Sequence, residues 1–149
     1  MKIIIAGAGA VGTHLAKLLS KEKQDIVLMD DSEDKLVALD ANYDLMTVCT
    51  SPTSIAGLKD AGVANADLFI AVTPDESRNM TACMLASNLG AKKTVARIDN
   101  FEYLQPIHQE FFKKLGVGFH RTKRFGLCSI TKPFECSLIT GEKITNNRW

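Results

Sequence analysis

Three glycines near the start of the chain have the spacing of a phosphate-binding turn. Gly7, Gly9 and Gly12 follow an apolar run and fit the pattern G-x-G-x-x-G. In this pattern the first glycine makes a tight turn, the second lets the backbone approach a pyrophosphate, and the third lets a helix pack closely on a strand. The N-terminus of that helix presents free N–H groups and a partial positive charge to phosphates.

An acidic residue follows the glycine turn at the distance that recognition of an adenosine ribose requires. Asp30 ends the second apolar run, 18 residues after Gly12, where a carboxylate can accept hydrogen bonds from ribose hydroxyls. Asp31 adds a second negative charge, and no arginine is close by in the sequence. A 2′-phosphate would be repelled, so NAD(H) or an unmodified adenine nucleotide is favoured over NADP. A plain tight turn with a capping aspartate is the alternative.

The apolar pattern predicts the elements that would position these residues. Continuous apolar runs predict strands at Lys2–Ala6, Asp25–Asp30, Leu45–Val48, Asp67–Val72 and Thr94–Ile98. Such runs are typical of a sheet covered on both faces, and helical stretches lie between them. The sequence therefore predicts a single α/β domain, a Rossmann-like doubly wound parallel sheet of order 3-2-1-4-5. A crevice then opens above Gly7 and Thr73, where the strand order reverses.

Residues 73–79 would face the glycine turn across this crevice. Thr73 to Glu76 read as a capping box with proline at the first helical position, and capping explains Thr73 and Glu76 as well as ligand contact does. Asp75 and Glu76 could hold a divalent cation, but two adjacent carboxylates without a third ligand are more often solvated. We therefore expect no metal. Two further helix boundaries are predicted, a start at Ser51-Pro52 and an end at Ala61-Gly62.

Arg97 lies near the end of the fifth apolar run, on the side where the crevice opens. A cation inside such a strand is costly unless an anion satisfies it. Pairing with Asp99 or another local acid is one explanation. We favour the other, in which Arg97 reaches a ligand phosphate or a carboxylate of the crevice.

Length and composition restrict the functional classes. The 149 residues, 46% of them hydrophobic, suffice for one domain and leave no room for a two-domain dehydrogenase. None of the three histidines ends a strand, and no nucleophile–base pair is evident, so we expect no enzyme; a fragment of an NAD-dependent oxidoreductase is the alternative. Four cysteines without CxxC spacing, and the lack of a signal peptide or membrane span, favour a cytoplasmic protein.

Three stretches of the chain resemble the TrkA N-terminal family, also called RCK or KTN domains. They are "IIIAGAGAVGTHLAKLLSKEKQDIVLMD", "LKDAGVANADLFIAVTPDESRNMTACMLA", and "KKTVARIDNFEY" with "FFKKLGV", and the resemblance covers roughly residues 1–117. It implies a dimerising Rossmann domain that binds NAD(H) or ATP/ADP and regulates a membrane potassium channel or transporter. The chain would lie in the cytoplasm, peripheral to the inner face of the membrane through that partner, in a dimer or higher homo-oligomer.

The resemblance also implies roles for individual residues. The phosphates would be held by Gly7, Gly9, Ala10, Val11 and Gly12 and the ribose by Asp30, with Asp31 beside it; the adenine would be bordered by Cys49, Thr50 and Ser51, the far side of the crevice by Thr73 and Asp75, and the phosphate region by Arg97. Where family members usually carry a Gly-Asp pair after the third strand, this chain reads "VCTSPTS", which offers hydroxyls but no carboxylate.

Residues 118–149 form an atypical basic tail. Lys and Arg number 12 against 15 Asp and Glu in residues 1–117, and 6 against 2 in the tail, so the two parts carry charges of −3 and +4. Six dispersed cations are too few for a nucleic-acid patch, so we expect no nucleic-acid partner. The tail shows neither a clear sixth strand nor the amphipathic helix of the family. We interpret it as the product of a truncated or frame-shifted gene or of cloning; a natural basic extension is the alternative.

Overall fold

The continuous apolar runs form the strands of a parallel sheet in the computed structural model, which describes residues 1–121. The strands are β1 (Lys2–Ala6), β2 (Asp25–Asp30), β3 (Met46–Cys49), β4 (Leu68–Ala71), β5 (Thr94–Ile98) and β6 (Phe119–Arg121). Their order is β3-β2-β1-β4-β5-β6, with every neighbouring pair parallel. The predicted order 3-2-1-4-5 is therefore confirmed, and the strand order reverses between β1 and β4.

The central strand β1 shows why the runs are apolar without alternation. Ile4 and Ala6 belong to the hydrophobic cluster on one face of the sheet, whereas Ile3 and Ile5 belong to the cluster on the other. All four side chains are fully buried. Since successive side chains of a strand point to opposite faces, a strand covered on both sides must be apolar at every position. Each isoleucine buried in this way stabilises the fold by roughly 1.5–3 kcal/mol.

Helices cover the two faces of the sheet. They are α1 (Ala10–Ser20), α2 (Glu33–Asp40), α3 (Ile55–Asp60), α4 (Glu76–Asn88) and α5 (Pro106–Lys114). Helix α1 buries Leu15 and Leu19, and α2 buries Leu36 and Leu39, in the cluster of Ile3 and Ile5. Helices α3 and α4 contribute to the cluster of Ile4, and Phe112 of α5 packs against it. In residues 1–121 no helix combines the length and hydropathy needed to span a membrane.

Two predicted helix starts are wrong, and each helix begins later in the chain. Helix α3 begins after Ser54, whose hydroxyl accepts the Gly57 N–H at 3.1 Å, and not at Ser51-Pro52. Helix α4 has Asp75 as its N-cap, not Thr73. In both segments several residues that could cap a helix lie close together in the sequence. Which of them becomes the N-cap depends on the hydrogen bonds that the other candidates make with different partners. The predicted helix end at Ala61-Gly62 is confirmed, with Gly62 at φ +78°.

The sheet also contains a sixth strand that the sequence left in doubt. The backbone of β6 pairs with β5, with Arg97 opposite His120. The Ala96 N–H donates to the carbonyl of Gly118 at 2.7 Å. An edge strand of three residues needs only backbone hydrogen bonds and leaves no apolar run to detect. The predicted domain boundary after residue 117 and the proposed origin of the tail, residues 118–149, remain predictions; residues 122–149 of that tail lie outside the described part of the chain.

Candidate functional site

Two of the three glycines are required by the packing of the turn itself. Gly7 has φ +113°, and a Cβ there would stand 3.0 Å from the Thr73 nitrogen at the end of β4. A Cβ on Gly12 would lie 1.7 Å from the Gly7 carbonyl oxygen, a distance that no side chain tolerates. These residues therefore let the turn approach β4 and let α1 pack on the turn.

Gly9 differs from the other two because the space beside it is open. Its φ is −76°, which any residue can adopt, and no atom lies within 4 Å of the place of a Cβ. Gly9 is the N-cap of α1, with no side chain capping the helix and no acidic residue in its first turn. The leading N–H groups of Ala10, Val11 and Gly12 lie at the positive end of the helix dipole. This cradle fits a phosphate group.

Asp30 braces the glycine turn from the end of β2. It is only 7% exposed, and its Oδ2 accepts the Ala8 N–H at 2.7 Å while its Oδ1 accepts the Ser32 N–H at 2.8 Å. A carboxylate has about four lone-pair sites, so both oxygens keep capacity for further donors. The carboxylate is therefore held in one orientation beside the phosphate cradle, and it retains acceptors for hydroxyl groups.

The far wall of the crevice depends on Asn79, which the sequence analysis missed. Asn79 is 1% exposed; its Oδ1 accepts the Thr73 N–H at 2.9 Å and lies 2.7 Å from Thr73 Oγ1. Its Nδ2 donates to the carbonyls of Thr73 and Arg97 at 2.9 and 3.0 Å. The detectable signal was a polar residue at a buried helical position, since Asn79, Ala82, Cys83 and Ala86 form the buried face of α4.

The carboxylates that follow Thr73 are engaged by backbone N–H groups. Asp75 Oδ1 accepts the N–H groups of Ser77 and Arg78, as an N-cap does. Glu76 Oε2 accepts those of Asp99 and Asn100, which joins α4 to the loop after β5. Capping thus describes Asp75, while Glu76 bridges two segments. Across residues 1–121, no group of three or more potential metal-ligating side chains converges.

Arg78 brings an arginine to Asp31 in space, although none is close by in the sequence, so the repulsion of a 2′-phosphate expected from Asp31 alone does not describe the site. From the first turn of α4, the Nη2 of Arg78 reaches across the crevice to Asp31 Oδ2 at 2.7 Å and donates to Ser51 Oγ at 3.1 Å. The hydrogen bond from Arg78 lowers the pKa of the Asp31 carboxyl below its usual 3.8. Forty-seven positions separate the two residues, so only the reversal of strand order brings them together.

Residues 49–51, at the end of β3, form the rim beside Asp31. Cys49 is exposed, with its Sγ 3.9 Å from the Asp31 carbonyl oxygen. Thr50 donates its N–H to the Asp30 carbonyl at 2.9 Å, and its side chain packs against Gly57 of α3. The Ser51 hydroxyl receives Arg78, as described above. The segment therefore presents a thiol and a hydroxyl near the carboxylates that end β2.

Arg97 stands at the end of β5 with its guanidinium only partly satisfied. Its Nη2 lies 3.6 Å from Asp99 Oδ2, which is a loose ion pair. Its Nε is buried and has no hydrogen-bond partner among residues 1–121. Pairing with Asp99 is thus present, and the buried Nε leaves a donor that an anion could satisfy. A role toward a phosphate stays a prediction.

Solved structures with the same fold include two of GsuK with a bound nucleotide. The GsuK channel bound to NAD superposes with a TM-score of 0.64 at 23% identity, over 79% of this chain and 21% of that one. GsuK bound to ADP gives 0.65 at 22% identity, over 80% and 31%. The TrkA-N domain of the inner membrane protein ybaL from Escherichia coli gives 0.70 at 12% identity, over 95% and 96%. These likenesses support the Rossmann-like fold.

Sequence relatives are more informative about the family. The Trk system potassium uptake protein TrkA of Haemophilus influenzae is 48% identical over 106 residues, which cover 70% of this chain and 23% of that protein. A TrkA homolog of Methanothermobacter thermautotrophicus is 33% identical over 117 residues, covering 78% of this chain and 52% of the homolog. The chain thus spans only part of the length of these relatives. The family model of the TrkA-N domain matches residues 3–119. This chain therefore belongs to the TrkA-N domain family.

Proposed function

We propose that this chain is the nucleotide-sensing part of a regulator of a potassium channel or transporter. It binds NAD(H), or alternatively ATP or ADP, and changes conformation without catalysing a reaction. The observation that carries the proposal is the open, uncapped N-terminus of α1 at Gly9, beside the oriented carboxylate of Asp30. Relatives named as potassium uptake proteins supply the regulated process.

The proposed binding mode uses both walls of the crevice. The turn at Gly9 would hold phosphates, Asp30 would accept from ribose hydroxyls, and residues 49–51 would border the adenine. Thr73 and the Nε of Arg97 would meet the ligand from the other wall. The two walls would have two arrangements relative to each other. A nucleotide that contacts both walls would favour a different arrangement from one that contacts only one wall. A tenfold difference in affinity shifts the balance between arrangements by about 1.4 kcal/mol.

The proposed signal path leaves the crevice through Asn79 and Glu76. Asn79 links Thr73 to the backbone of β5, and Glu76 links α4 to the loop that follows β5. A ligand that moves Thr73 would therefore also move α4 and β5. In the proposed assembly this movement reaches a membrane partner, with the chain in the cytoplasm and joined to further copies of itself.

Calorimetric titration of the purified chain with NADH, NAD, ATP and ADP tests the proposal. We expect at least one of these nucleotides to bind, with no lasting change in nicotinamide absorbance. Absence of binding by all four refutes the proposal. Turnover with a small substrate would instead revive the oxidoreductase alternative.

The variant Gly9→Asp tests whether phosphates bind at the turn. Aspartate is a favoured N-cap, so the melting temperature should be unchanged or higher, while the added carboxylate repels phosphates and nucleotide affinity should fall at least tenfold. Gln105→Asp is the matched control because it adds the same charge at the N-cap of α5, which also has no side-chain cap. It should retain wild-type affinity. Wild-type affinity in Gly9→Asp contradicts the proposed site.

A further inference from the structure

The ion pair between Asp31 and Arg78 joins the two walls of the crevice next to the ribose carboxylate proposed above. Asp31 directly follows Asp30 at the end of β2, and Arg78 comes from the first turn of α4 on the opposite wall. The Arg78 side chain is 29% exposed and the Asp31 side chain 56%. Solvent therefore reaches the pair, and its partners can exchange.

An arginine near the carboxylate that follows the second strand affects which nucleotide a Rossmann fold binds. In Rossmann folds the carboxylate after the second strand binds the ribose 2′-hydroxyl, and a nearby arginine accommodates a 2′-phosphate. Arg78 has the planar donor group that suits a phosphate. Its charge, however, is already balanced by Asp31 at 2.7 Å, and Asp30 leaves the region with a net negative charge.

We propose that the Asp31–Arg78 pair sets which ribose the crevice accepts. Asp31 neutralises Arg78, and the remaining charge of Asp30 repels a second anion, so the crevice rejects a 2′-phosphate although it contains the arginine that could bind one. Ligands with a free 2′-hydroxyl, such as NAD(H) or ADP, are accepted. This inference rests on the proposed nucleotide site and assigns its ribose specificity to one pair of residues.

The test compares NADH and NADPH as probes, with dissociation constants measured by calorimetry on the full chain. The wild type should bind NADH more tightly than NADPH. Asp31→Asn should lower the ratio of the NADPH constant to the NADH constant at least tenfold, which corresponds to about 1.4 kcal/mol. Adding Arg78→Met to Asp31→Asn should restore the high ratio, because the freed arginine is then absent. Asp60→Asn, an equal change of charge at an exposed position of α3, should leave the ratio unchanged.

Each other outcome separates this inference from the proposed function. If the wild type binds both nucleotides equally, or if Asp31→Asn leaves the ratio unchanged, the specificity assignment is overturned while nucleotide binding stands. The same holds if the lowered ratio persists in the double variant without Arg78. If neither the wild type nor any variant binds NADH, the proposed nucleotide site itself fails, and this inference fails with it.

Discussion

Replacing Asn79 with alanine should be among the more damaging single changes on α4. The substitution removes the two hydrogen bonds to the carbonyls of Thr73 and Arg97 and both contacts of Oδ1 with Thr73. Three of these bonds contribute about 1 kcal/mol each net, whereas the Thr73 hydroxyl keeps the Asp75 carbonyl as an acceptor, so we expect a loss of roughly 3 kcal/mol in the free energy of unfolding. For a domain of this size that lowers the melting temperature by roughly 6–12 °C.

The matched control is Asn88→Ala at the exposed end of the same helix. Both variants replace asparagine with alanine in the same helix, so the difference between them chiefly reports the buried hydrogen bonds. Melting is followed by circular dichroism, and urea unfolding supplies the free energies. A melting temperature of Asn79→Ala within about 2 °C of the control would refute the assigned role of the network.

Two further predictions concern titratable groups. Burial raises the pKa of the Cys83 thiol to about 12, so a thiol reagent at roughly pH 8 should label exposed Cys49 at once and Cys83 only after unfolding. The experiment uses a variant in which the two cysteines of residues 122–149 are replaced with serine, so that only these two thiols can react. Fast labelling of both thiols in the folded protein would contradict the burial of Cys83. Arg78 lowers the pKa of Asp31, so their pair stabilises the fold above pH 3.8 and this contribution is lost as the pH falls through the lower folded-state value. The pair is exposed to solvent and contributes less than about 1 kcal/mol to the free energy of unfolding. Between about pH 5 and pH 2, urea unfolding should therefore show that Arg78→Met loses slightly less stability than the wild type. An identical loss of stability in the two proteins argues against the pair.

Local sequence patterns sufficed to predict the strands and helices around the candidate site and one of its two walls. The apolar run Lys2–Ala6 followed by Gly7 and Gly12 encodes a buried strand, a tight turn and a closely packed helix within a few residues. Asp30 could be placed at the end of β2 because its distance from the turn is fixed by one βαβ unit. Each of these inferences depends on neighbours in the sequence, and the geometry around them agrees.

The opposite wall depends on contacts between distant segments, and prediction from sequence was weaker there. Arg78 meets Asp31 only because the strand order reverses at the crevice, and nothing near Asp31 in the sequence signals an arginine. Threonine is a common N-cap residue, yet Thr73 forms hydrogen bonds with Asn79 instead, and Asp75 caps the helix. Competition among polar side chains for the same backbone groups is decided by tertiary packing.

The two hydrophobic clusters on the faces of the sheet have no residue in common. The sheet therefore separates the two helical layers. The layer of α1 and α2 meets the opposite layer at the carboxyl ends of the strands, where Gly7 lies against Thr73 and Asp31 pairs with Arg78. We therefore expect the coupling free energy between the two layers to depend strongly on the contacts at this edge. Substitutions deep within a core would change the free energy of unfolding, whereas substitutions at the edge would change how strongly one layer responds to the other.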